Sequence, residues 1–147
     1  MWSASTRAFL GFIAAAISVL TFHQGMVELL HGMGLAPFTA YSAHPMPPFG
    51  VPLIADLCFW GGLYGAVFGL LLPRFAWPLP VCGIILGIIA ALVAMFVVAP
   101  IKGGAIANGW QAWPFARSLI INGFWGLGVG LILPLLMPRR FRHARHA

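Results

Sequence analysis

The chain has 147 residues, of which 61% are hydrophobic and 7% are charged. Soluble domains carry about 25% charged residues, so this composition excludes an ordinary soluble domain and is typical of a membrane protein. The net charge is +6, from eight Lys and Arg residues against two carboxylates. These basic residues collect at the ends of apolar segments rather than on one polar face, so the charge does not indicate nucleic-acid binding.

Four apolar segments are each close to the roughly 20 residues that a membrane-spanning helix needs. They lie at about 8–31, 52–72, 79–99 and 115–137. Because they leave no room for a soluble domain, we expect a single membrane domain over residues 1–147. The first apolar run follows Arg7 and continues past the alanines at 14–16. We therefore predict an uncleaved first helix rather than a signal peptide.

The basic residues predict how the four helices are oriented. Lys102 and Arg117 fall on one side of a four-span chain, and six arginines fall on the other. The six are Arg7, Arg74, Arg139, Arg140, Arg142 and Arg145. Because Lys and Arg are enriched on the cytoplasmic side, we expect a bacterial-type inner-membrane protein with both termini in the cytoplasm. The basic tail at 139–146 is expected to contact anionic lipid.

A repeated motif in the second and fourth segments predicts two tandem helical hairpins. Trp60-Gly61 and Trp125-Gly126 are preceded by Phe, followed by a second Gly four residues later, and related by an offset of 65. The first and third segments match more weakly at an offset of 76. Each hairpin has an even number of spans, so the repeats at about 8–74 and 79–139 keep the same orientation. The predicted fold is an all-α integral membrane protein of four transmembrane helices in two parallel-repeat hairpins.

The loop at 35–51 contains four prolines and is expected to face outward. They are Pro37, Pro45, Pro47 and Pro48. Because proline restricts the backbone and removes a hydrogen-bond donor, this loop should be stiff and non-helical. We expect an ordered connector at the membrane interface, with a lid over the outer ends of the helices as the alternative.

Polar residues near the end of the first segment form the candidate site. His23, Gln24, Glu28 and His31 follow a run of apolar residues. On a helix, Gln24, Glu28 and His31 fall within about 60° of one another. Ionisable residues inside a membrane are costly unless they face protein or water, so they indicate a functional site. Neither offset gives the third segment a counterpart of this cluster, so the repeat does not explain it.

The second and fourth segments contribute further polar residues to the same region. Upstream of the repeated motif the offset becomes 66, which aligns Asp56 with Asn122. Asp56 and Glu28 each lie about one turn from the outer end of antiparallel helices. The predicted substrate or ion site therefore consists of His23, Gln24, Glu28, Asp56 and Asn122. The alternative for the two carboxylates is a structural ion pair, Asp56 with Arg117 or Glu28 with Lys102.

The residues give little support for a metal or a catalytic site. Glu28-x-x-His31 resembles the ligand spacing of di-metal bundles, but those contain the motif twice together with two further glutamates. We expect no cofactor, with a divalent metal at His23, Glu28 and His31 as the alternative. No nucleophile motif, glycine-rich phosphate loop or His-Glu-x-x-His occurs, so we expect no enzymatic activity.

Two functional hypotheses follow from these observations. The first is a small multi-pass inner-membrane transporter or permeation protein for a cation, a proton or a small polar solute, acting through an outward-facing His/Glu/Asp site. The alternative is a non-transporting accessory or scaffold subunit of a larger membrane complex, in which the polar cluster is structural. The expected partners are the lipid bilayer and, given the number of glycine faces, a second copy or a larger membrane complex. Nucleic acid is not expected.

Overall fold

The computed structural model describes residues 2–137, and these residues are mostly helical. Four helices are long and apolar enough to cross a membrane, as the sequence predicts. They are α1 (Ala4–Gly32), α2 (Leu53–Arg74), α3 (Leu79–Ile101) and α4 (Ala112–Leu136). The basic tail at 139–146 lies outside the described residues.

The helices begin where the sequence supplies a cap or a proline. Ser3 caps α1, because its hydroxyl accepts a hydrogen bond from the backbone N–H of Thr6 at 3.1 Å. Pro52 directly precedes α2, while Pro80 and Pro114 lie in the first turns of α3 and α4. Proline is tolerated in a first turn because the N–H groups there have no partner within the helix. These positions fix where the chain enters each long helix.

α1 and α3 are each interrupted by one π turn, at Val19–His23 and Ala94–Val98. A π turn holds one extra residue, so it changes which side of the following helix faces the core. In an uninterrupted helix, Leu30 would lie about 120° around the axis from Ser18, whereas the extra residue reduces this to about 20°. Both side chains are buried. The π turn therefore keeps the end of α1 packed against the same neighbours.

The helices pack as two antiparallel pairs that meet through α1 and α4. α1 packs along α2 and α3 packs along α4, whereas α2 and α3 contact each other little. In each pair a Cβ added at one glycine would overlap a backbone carbonyl of the partner helix, as at Gly11–Gly65 and Gly83–Gly126. Such backbone contact is possible only where both faces carry small residues.

The glycine contacts do not follow the weaker of the two sequence matches. Gly11 and Gly87 correspond at an offset of 76, yet Gly11 lies against Gly65 whereas Gly87 lies against Asn122. At the offset of 65, Gly65 corresponds to Gly130, so an exact repeat would place Gly87 against Gly130. Gly130 instead lies against Leu79 and Pro80. The tandem-repeat organisation therefore stays a prediction, although the two antiparallel pairs are present.

Two buried hydrogen bonds join α1 to α4 in the middle of the structure. The Ser18 hydroxyl donates to the Trp125 carbonyl at 2.6 Å, and the Trp125 indole N–H donates to the Ala15 carbonyl at 3.1 Å. All three residues are at most 2% exposed and lie in or against the main core. Because a buried polar group without a partner costs about 1–3 kcal/mol, this reciprocal pair fixes how the two helices meet.

The glycine contacts predict which substitutions the fold tolerates. We expect Gly65→Ala and Gly126→Ala each to lower the free energy of unfolding by about 1–3 kcal/mol, because the added methyl group forces the helices apart. Gly25→Ala and Gly123→Ala are matched controls, since an added Cβ meets nothing within 4 Å at either position. Thermal unfolding of the purified protein in detergent checks this. Equal melting temperatures for all four variants would contradict the packing.

Candidate functional site

Gln24 organises the polar residues at the end of α1. Its side chain is 3% exposed, and its Oε1 accepts a hydrogen bond from the Tyr41 backbone N–H at 2.6 Å. Its Nε2 lies 3.0 Å from Nδ1 of His23. Because an amide nitrogen only donates, Nδ1 must accept, and the His23 proton is assigned to Nε2. The hydrogen bonds thus select a neutral His23 whose Nε2–H is the remaining donor.

The segment between α1 and α2 folds over one end of the helices. We call this end of the structure the loop end. It contains a short antiparallel β-ribbon, in which the two-residue strands Pro45–Met46 and Val51–Pro52 pair. The Tyr41 hydroxyl donates to the Leu20 carbonyl at 2.7 Å, within the π turn of α1. The Trp113 indole N–H on α4 donates to the Leu35 carbonyl at 2.8 Å. These bonds anchor the segment to α1 and α4, as an ordered connector would require.

Two partly open cavities lie beside this segment and share one wall. The α4-side cavity measures about 460 Å³, and its polar lining residues are His23, Asn108, Arg117, Ser118 and Asn122. The α2-side cavity measures about 440 Å³, and its polar lining residues are His23, Gln24, Thr39 and Ser42. Val27 and Phe38 line both cavities together with His23. His23 therefore belongs to the wall that the two cavities share.

Arg117 lies at the wall of the α4-side cavity without a carboxylate partner among residues 2–137. Its Nη1 donates to the Leu35 carbonyl at 3.2 Å, and its guanidinium lies 5.0 Å from the centroid of the Phe38 ring. The only side-chain partner that the sequence predicted for Arg117 was Asp56. In the structure, Asp56 accepts a hydrogen bond from the Trp60 indole N–H at 3.1 Å instead.

A strained turn before α4 places Asn108 in the same cavity. Ala107 and Asn108 have φ values of 52° and 53°, and Trp110 has 57°, all in the left-handed region. Such a conformation costs about 1–2 kcal/mol for each non-glycine residue, and this kind of strain clusters at ligand sites. The Asn108 amide donates to the Pro114 carbonyl at 3.0 Å and lies 2.9 Å from the Ser118 hydroxyl. The dipeptide Asn108-Gly109 favours positive φ, whereas Ala107 and Trp110 give no indication of this turn.

The structure brings three of the five predicted site residues to the cavities and leaves two outside them. His23, Gln24 and Asn122 line a cavity, whereas Glu28 and Asp56 line neither. Glu28 is exposed. The π turn contributes to this, because its extra residue places Glu28 about 180° around the helix from the buried Ser18. Gln24, about 40° from Glu28, is buried because Tyr41 of the connecting segment is hydrogen-bonded to it. The outward His/Glu/Asp site is therefore divided between the interior and the surface of the helices.

The predicted metal ligands are not gathered into one group. Within the described part of the chain, no cluster of three His, Cys, Asp or Glu side chains is placed to hold a metal ion. His31 Nδ1 lies 3.0 Å from the Ala36 carbonyl, so it serves as a donor to the loop. Glu28 is exposed, and His23 bonds to Gln24.

No protein-family model, curated protein or solved structure matches the chain. Its class is therefore defined by its own fold and composition. It is a helical protein with four helices long and apolar enough to cross a membrane. Its candidate site is a pair of cavities beside an ordered connecting segment, with several polar residues in mostly apolar walls.

The Gln24 hydrogen bonds predict how the segment over the cavities is held. We expect Gln24→Leu to leave the Tyr41 backbone N–H without its partner and to lower stability by about 1–3 kcal/mol. Chymotrypsin should then cleave faster after the exposed Phe49. Glu28→Gln is the control, since Glu28 is exposed and lies outside both cavities. If the two variants were cleaved at the same rate, Gln24 would not anchor the segment.

Proposed function

We propose that this chain is a multi-pass inner-membrane protein of two tandem hairpins, with both termini in the cytoplasm and the loop end outside. The four apolar helices and the antiparallel pairing of α1 with α2 support this. Arg7 and Arg74 lie at the end of this pair opposite the loop end, in agreement with the positive-inside rule. Lys102 and Arg117 lie near the loop end of α3 and α4.

The orientation predicts which positions a membrane-impermeant maleimide labels in intact cells. In a background with Cys58→Ser and Cys82→Ser, we expect His44→Cys to be labelled in intact cells and Trp77→Cys only after lysis. Both positions are exposed, so the membrane is the only barrier that distinguishes them. Labelling of the second variant in intact cells would reverse the proposed orientation.

We further propose that the loop end binds a small polar solute, as the binding step of a transport or permeation function. The observation that carries this is that His23, held in one tautomer by Gln24, lines both cavities. Concave sites with mostly apolar walls and a few oriented polar groups are typical of small-molecule binding. A cation or a proton is a weaker candidate, because Glu28 and Asp56 lie outside the cavities. Neither a cofactor nor a catalytic step is required.

One observation favours the alternative of an accessory or scaffold subunit. Asp56 and Trp60 are hydrogen-bonded to each other on α2, and the side chains of Phe59 and Trp60 are 51% and 54% exposed. A carboxylate bound to an indole on an exposed helix face suits contact with a second copy or with another membrane protein. Under this alternative the cavities would have no ligand.

Substitutions within the cavities distinguish these two functions. We expect at least one small polar solute from a panel of acetamide, glycerol, benzoate and trimethylammonium to raise the melting temperature of the purified protein. His23→Phe and Asn122→Leu should weaken its binding about two- to tenfold, as the loss of one hydrogen bond implies. Glu28→Gln should bind normally. If no solute stabilised the protein, and Trp60→Ala reduced cross-linking to neighbouring chains, the accessory function would be favoured.

A further inference from the structure

The α4-side cavity carries one formal positive charge and no negative side chain. Arg117 is its charged residue. The chain has only two carboxylate side chains, Glu28 and Asp56, and neither lines the cavity. A guanidinium without a carboxylate partner, beside a space of about 460 Å³, attracts an anion by simple charge complementarity.

The guanidinium is oriented rather than free to rotate. Its Nη1 donates to the Leu35 carbonyl, and its Cζ lies 5.0 Å from the centroid of the Phe38 ring. These contacts account for one of the five N–H groups of the side chain. A planar guanidinium fixed in this way can offer two parallel N–H groups to one carboxylate. Holding the loop and binding an anion are thus compatible roles for Arg117.

The neighbouring polar groups add further donors. The Ser118 hydroxyl accepts a hydrogen bond from the Asn108 amide, so its own proton is available to donate. On α4, Ser118 directly follows Arg117, and both line the cavity. His23, on α1, lines the same cavity, and its Nδ1 is already bonded to Gln24, so Nε2–H is its remaining donor. Several hydrogen-bond donors beside one cationic side chain are suited to binding an oxyanion.

The rest of the cavity lining identifies the kind of oxyanion. Val27, Phe38 and Ile121 give it an apolar wall. A hydrated inorganic anion gains nothing from such a wall, whereas a small organic acid can bury its apolar part there. We propose that the α4-side cavity binds a small organic carboxylate, with the carboxylate on Arg117 and Ser118. This inference rests on the proposed solute-binding function and names its substrate class.

The test compares two probes of the same shape that differ in charge. Benzoate is ionised at pH 7, whereas benzamide is neutral, and inorganic phosphate is an anion without an apolar part. We expect purified wild-type protein in detergent, at constant ionic strength, to bind benzoate at least about tenfold more tightly than either other probe. Calorimetric titration measures all three dissociation constants.

Variants locate the binding site. We expect Arg117→Gln to weaken benzoate binding about ten- to a hundredfold and Ser118→Ala about two- to tenfold. Arg74→Gln is the matched control, because the same substitution is made at an exposed arginine away from the cavity. If Arg117→Gln does not fold, Ser118→Ala and the comparison of probes still test the inference.

The remaining outcomes of the binding experiments would each contradict part of the proposal. Equal binding of benzamide and benzoate would overturn the carboxylate inference and leave the solute-binding proposal in place. Phosphate binding as tight as benzoate binding would replace the organic acid with a general anion. Benzoate binding that survives both Arg117→Gln and Ser118→Ala would place the site elsewhere. No binding of benzoate, benzamide or any other solute in the panel would overturn both proposals.

Discussion

Direct backbone contact between glycine faces is the constraint on which the rest of the structure depends. In the membrane location that we propose for these helices, burial of apolar side chains supplies little driving force, so close packing and hydrogen bonds have to hold the helices together. Gly11 against Gly65 and Gly83 against Gly126 provide the packing within each pair. The Ser18 and Trp125 hydrogen bonds then join the two pairs. Only with α1 and α4 joined can His23 and Asn122 line a common cavity.

The sequence was sufficient to predict the parts of the fold that depend on composition. Span length is set by the thickness of a membrane, and caps and prolines mark helix ends, so all four long helices were recognised. The glycine motifs around Gly65 and Gly126 also lie at close helix contacts. Of the site, His23 and Gln24 were identified because polar groups are rare in such helices, and Asn122 because it aligns with Asp56. All three line the cavities.

What the sequence could not predict depends mainly on backbone conformation and on which segment covers a helix. A helical wheel assumes a constant turn, so it does not show that the π turn rotates Gln24 and Glu28 together relative to Ser18. Gln24 is then bonded to Tyr41 in the connecting segment, whereas Glu28 stays exposed. In the left-handed turn before α4, Asn108-Gly109 favours positive φ, but Ala107 gives no sign of it. Arg117 was paired with Asp56 on grounds of charge, although Leu35 and Phe38 are its contacts in the fold.

The π turn at Val19–His23 gives α1 one place where a change of chain length has a defined effect. Deleting one residue there would convert the π turn into a regular helical turn and would keep Leu30 about 20° around the helix from Ser18. A deletion in a regular part of α1 would instead rotate the residues beyond it by about 100° and take Val27 and Leu30 out of the core. A single-residue deletion within the π turn should therefore be tolerated better than the same deletion before it. The side of the helix that faces the core is thus fixed by the extra residue that these five positions hold.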